Sequence, residues 1–82
     1  MSMMKYLRYE DKGVVLFEQS IDHAAMHKLV QTRGDKLISA GTVALWAVND
    51  ELQINAGNGS VSLNVSSRDD DADLIKRRLQ LY

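Results

Sequence analysis

TVALWAVNDELQINAGNGSVSLNVSS, residues 42–67, carries an apolar residue at every second position of three runs divided by two dipeptides that favour positive φ, Asn49-Asp50 and Asn58-Gly59. If each dipeptide is a two-residue hairpin loop, register follows without further choice. The first loop pairs Ala47 with Leu52, Leu45 with Ile54 and Val43 with Ala56. The second pairs Ala56 with Val61, Ile54 with Leu63 and Leu52 with Val65. All of these residues are apolar, and two-residue alternation turns all of them to one face. The agreement of two independent turn signals predicts a three-stranded meander with one face feeding the core.

Working outward, residues 3–10 and 14–18 are rich in aromatic and β-branched side chains and flank Asp11-Lys12-Gly13, which predicts a hairpin. Residues 21–33 read as a helix. Ser20 is its expected cap, Asp22 suits the positive dipole end, and Gly34 is a left-handed terminator. On its wheel Ile21, Ala25, Met26, Leu29 and Val30 form the apolar side, with His27, Lys28 and Gln31 opposite. Ser67-Arg68-Asp69-Asp70-Asp71 is a capping and acidic first-turn signature for a second helix through Leu74, Ile75 and Leu79 to Tyr82. The order ββαβββα predicts a single α+β domain over 1–82: an antiparallel sheet of about five strands with two helices packed on one face. Neither helix is long enough to be stable alone, so both depend on docking.

The chain has 82 residues, ten Lys+Arg against eleven Asp+Glu, and neither Cys nor Pro. Without Cys there is no disulfide, thiolate zinc site or Cys nucleophile. A formal charge of −1 gives no global attraction for phosphate backbones or anionic membranes, so neither nucleic acid nor membrane is expected as a partner. The first residues reach charge at Lys5 and Arg8 and lack a signal-peptide core, and no apolar run approaches the roughly 20 residues a bilayer requires. The expectation is a cytoplasmic protein.

On the face opposite the predicted core, the same register sets Trp46 beside Gln53 and Gln53 beside Asn64. Ala44, Asn55 and Ser62 form one flanking row, and Val48, Glu51 and Ser66 the other. This surface is polar, nearly uncharged, and carries one indole. Either a strand, loop or second copy covers Trp46, or a ligand or partner protein does, because Trp anchors recognition surfaces, or the indole stands exposed without consequence. A nucleic-acid platform would interleave several aromatics with Lys or Arg. A homodimer through this face, or through a sheet edge, is the leading expectation.

The remaining chemistry is sparse. His23 and His27 are i, i+4 on the first helix, a spacing that can chelate a metal, but two ligands make no stable site and the pair reads as exposed polar-face histidines. The alternative to a binding module is a small enzyme or metal-dependent site built around them between subunits. Asp69, Asp71 and Asp73 open like a calcium loop, which then fails at Leu74 and Gln80, where a Gly and a bidentate Glu are required. Helix-end acids balanced by Lys76, Arg77 and Arg78 explain them better. Arg78 lies toward the apolar side, where its stem can run past the core edge and keep its guanidinium in water, or its charge can meet a buried pair or a partner's carboxylate. Gly57-Asn58-Gly59-Ser60 precedes no helix, so no dipole faces an anion there. No nucleophile elbow is present, and neither a cofactor nor a catalytic residue is assigned.

Ile38-Ser39-Ala40-Gly41, Gly59-Ser60-Val61-Ser62-Leu63 and Ser66-Ser67-Arg68 with Asp70-Asp71 resemble a pattern in small bacterial and prophage-encoded proteins that carry no assigned activity. The likeness covers about the C-terminal half of the chain. It implies a small accessory protein and nothing about catalysis.

Overall fold

In the computed structural model, residues 2–30 and 34–80 are described. Strand β1 (Ser2–Tyr9) turns through residues 10–12 into β2 (Gly13–Glu18). Gly13 takes φ +86°, and the Asp35 carboxylate accepts the Asp11 and Lys12 amides at 2.8 and 2.9 Å, which ties the turn to the far end of the next connection. Helix α1 (His23–Val30) follows. Its cap is Asp22, whose carboxylate accepts the Ala24 amide at 3.0 Å, and not Ser20. Gly34 lies at φ +86°, as a left-handed terminator requires, while the expected last residues of that helix, 31–33, lie outside the described residues.

Strand β3 (Leu37–Val48) runs back along β1 and turns at Asn49-Asp50, with φ +52° and +66°, into β4 (Glu51–Gly57). The pairs Val43↔Ala56, Leu45↔Ile54 and Ala47↔Leu52 form in the expected register. Helix α2 (Asp71–Gln80) closes the fold. The sheet has four antiparallel strands in the order β2-β1-β3-β4.

Further expectations are overturned. No fifth strand forms among the described residues, although Asn58 and Gly59 both take positive φ as a hairpin loop would. Instead Ser60 and Val65 bridge each other around a tight turn over 61–64. The Ser60 hydroxyl accepts the Leu63 amide at 3.3 Å, and Asn64 takes φ +54°. Turn chemistry carried by Ser60, Ser62 and Asn64 thus outcompetes a strand ladder, at the cost of leaving Val61 98% exposed.

The helices also sit on opposite faces of the sheet. Ile75, Leu74 and Leu79 of α2 pack with Tyr6, Val14, Val43 and Ile54, whereas Met26 and Val30 of α1, together with Leu63 and Val65, pack with Leu7, Tyr9, Phe17 and Ala40. The reason is in β1 and β2. Val14-Val15-Leu16-Phe17 is apolar without alternation, and such a run is buried from both sides. Each side chain buried there contributes about 1.5–3 kcal/mol, enough to hold a short helix on each face.

The apolar side of α1 is rotated from its expected place. His23 is buried, while Leu29 is 72% exposed and Ala25 also faces solvent. Two aromatic partners explain the rotation: Phe17 receives His23 edge-on at 5.5 Å, and Tyr9 stacks on His27 at 5.7 Å.

Candidate functional site

Three groups of polar residues are set by this fold, and the first lies at the start of α2. Cross-strand pairing sets Tyr6 opposite Gly41 and Arg8 opposite Ser39, and two-residue alternation turns all four to the α2 face. There the wholly buried Asp71 meets them. Its Oδ1 accepts the Ser39 hydroxyl at 2.7 Å and Arg8 Nη1 at 2.9 Å, and its Oδ2 accepts the Tyr6 hydroxyl at 2.6 Å and the Arg68 amide at 2.8 Å. The last contact closes the turn from Arg68 to Asp71 that leads into α2. Arg8 also grips Asp70 with both terminal nitrogens, at 2.8 and 3.2 Å.

Burial pushes the Asp71 carboxyl up, but the Arg68 amide, the Tyr6 and Ser39 hydroxyls and the Arg8 guanidinium outweigh it and hold the group below the ordinary aspartate value. Burial, reinforced by this carboxylate, drives the Tyr6 phenol far above its usual range. Each Asp71 oxygen already accepts two hydrogen bonds, so the cluster is a structural knot joining β1, β3 and α2. The signal for it was polar residues on core-facing strand positions, Arg8 and Ser39, in a chain with an unusual run of acids at Asp69–Asp71.

The second group is the histidine pair. The Gly41 carbonyl can only accept, so His23 Nε2 carries a proton and donates to it at 2.9 Å. His27 Nδ1 shares a 2.7 Å hydrogen bond with the Tyr9 hydroxyl. His23 is therefore a buried structural side chain and not the exposed one expected. No cluster of three or more metal-ligating side chains occurs among the described residues.

The third group is the open half of the α1-side face. Helix α1 and the 60–65 turn cover the β1–β2 end and the start of β3. Trp46 lies beyond that cover, past the last β1–β3 pair, Ser2↔Leu45. It pairs with Gln53, as expected, and is half-buried, as is Gln53. Asn55 is exposed, and with Met3, Thr42 and Ala44 it lines a shallow cleft of about 160 Å³. Lys5 on this face is tied to the Ile21 carbonyl at 2.9 Å. Asn64 and Ser62 do not join the row: with the fifth strand replaced by a turn, Ser62 sits in that turn within 3.3 Å of the Ser60 hydroxyl, and Asn64 lines a separate open cleft of about 410 Å³ over residues 58–67. Arg78 is exposed on α2, away from this surface on the other side of the sheet.

What remains of the expected site is Trp46, Gln53 and Asn55, bounded by β4, which ends the sheet. The chain matches no family model, no curated protein and no solved structure. No helix among the described residues is long and apolar enough to cross a membrane.

Proposed function

We propose that this chain is a small non-catalytic interaction module that works as a homodimer through the β3–β4 end of its sheet, with Trp46, Gln53 and Asn55 on the working surface. One observation carries the reading. The β1–β2 side of the sheet is sealed on both faces, whereas at β3–β4 only the α2 face is covered, which leaves a half-buried indole, two amides and an unpaired strand edge together. Indole and amide side chains are uncharged, so they meet their own copies without repulsion and lose little on desolvation once the amides are paired.

The rival reading, a site built between subunits around His23 and His27, has less to stand on, because both rings already serve Gly41 and Tyr9. A nucleic-acid role has equally little support on this face, where the cation Lys5 is spent on a backbone carbonyl. The accessory role implied by the prophage-like pattern is compatible with a module of this kind and belongs to the same proposal. Sedimentation equilibrium with acrylamide quenching of Trp46 tests it. A dimer that dissociates to monomer on dilution is the expected result, with the quenching showing whether the indole lies inside the contact or on the open face beside it; a strict monomer overturns it.

A further inference from the structure

We infer that the dimer is made by β4 pairing with β4 of a second copy, antiparallel about Ile54, into one continuous eight-stranded sheet. This rests on the homodimer reading above and adds its geometry. In a hairpin closed by the two-residue loop Asn49-Asp50, Val48 and Glu51 form a hydrogen-bonded pair, so Glu51, Gln53, Asn55 and Gly57 spend their backbone groups on β3. The N–H and C=O groups of Leu52, Ile54 and Ala56 then point outward. β4 is an edge of the sheet, and no backbone hydrogen bond outside the β3 ladder involves residues 51–57 among the described residues.

Proteins ordinarily blunt such an edge with Lys, Pro or a bulge. Here β4 reads Glu-Leu-Gln-Ile-Asn-Ala-Gly and pairs with β3 without a register shift. The opposite edge differs. On β2, Val14 and Phe17 are 4% and 5% exposed, covered from the two faces by α2 and α1, with Val15 and Leu16 half-buried between them, whereas no residue of β4 is buried. On β4, Leu52, Ile54 and Ala56 stay half-buried although they face α2, which is how an edge lacking its neighbour is expected to be.

A second copy fits this edge better than an arbitrary strand does. Ile54 is the midpoint of Glu51–Gly57, so antiparallel pairing about it engages the strand end to end. Leu52 faces the second copy's Ala56 and Ile54 faces its own counterpart, each facing pair exchanging two hydrogen bonds. On the other face Gln53 lies opposite the second copy's Asn55, amide against amide. Glu51 meets Gly57, so the one charge on the strand never opposes itself. Two-residue alternation keeps the Trp46 row of each copy on the same side, and the two rows become one uncharged stripe across the new sheet.

The chain has no cysteine, so introduced thiols report without background. Gln53→Cys and Asn55→Cys chains, co-expressed and mildly oxidised, are expected to give a disulfide-linked heterodimer, while either variant alone gives none. The 53–55 pair is of the non-hydrogen-bonded kind, whose close Cα spacing a disulfide can span. A crosslink in Gln53→Cys alone, or in Asn55→Cys alone, overturns the pairing about Ile54. No crosslink in any sample, with the wild-type chain sedimenting as a dimer, overturns β4 pairing and leaves the homodimer reading intact. A wild-type monomer in sedimentation removes both.

Discussion

Asp71 is the side chain on which most else converges, and its protonation is a statement about folding. The carboxyl is held below its ordinary value in the folded chain, and so is Asp70, chiefly by the Arg8 guanidinium. A group depressed in this way contributes stability that is complete above its unfolded pKa, near 4, and lost as pH falls through the folded value. Thermal melts followed by circular dichroism should therefore hold steady from neutrality down to about pH 4 and drop steeply below it. Asp71→Ala leaves Arg8, Tyr6 and Ser39 without their buried acceptor and is expected to cost about 3–5 kcal/mol at pH 7. Asp71→Asn should flatten the acid limb of the melting profile while lowering its plateau. At Gly41, an added Cβ would collide with the Gly57 carbonyl and press on the Tyr6 hydroxyl at 3.0 Å. Gly41→Ala should destabilise by about 1–3 kcal/mol in urea titration, more than an alanine in a strand usually would.

Among the elements, those governed by local chemistry were legible in advance and those governed by their neighbours were not. The first hairpin, the Asn49-Asp50 register and the acidic start of α2 all follow from turn and capping residues that act within a few positions. The wheel of α1 failed because two aromatic rings from β1 and β2 recruit His23 and His27, a choice no period within the helix encodes. The fifth strand failed because Ser60 and Asn64 fold the segment on itself before it can reach β4. Of the candidate surface, the Trp46–Gln53 pair and Asn55 survive because they hang on the first turn alone; Asn64 and Ser62 hung on the second. This ordering predicts where substitution is tolerated. Leu29→Gln and Val61→Thr remove apolar groups already in water and should shift stability by no more than about 0.5 kcal/mol. Met26→Ala, which vacates the layer between α1 and the sheet, should cost about 2 kcal/mol or more in the same titration.

Taken as a whole, the molecule is a sheet with one helix on each side, and its layers are not independent. Stripping α2 would leave Tyr6, Arg8 and Ser39 with polar groups and no acceptor, and would bare Val43 and Leu45. A chain truncated after Ser67 is accordingly expected to lose the entire fold in far-ultraviolet circular dichroism, rather than melting only at its C-terminal end. Cooperative, all-or-none unfolding of the intact chain, with Trp46 fluorescence and circular dichroism tracing one transition, is the companion expectation.

The knot at Asp71 spans 65 positions to Tyr6. A ribosome delivers Asp71 well after Tyr6, so the first hairpin waits with unanswered hydroxyl and guanidinium groups for a carboxylate that has not yet been made. The buried polar contacts of β1 and β3 are therefore completed only once the start of α2 has been synthesised.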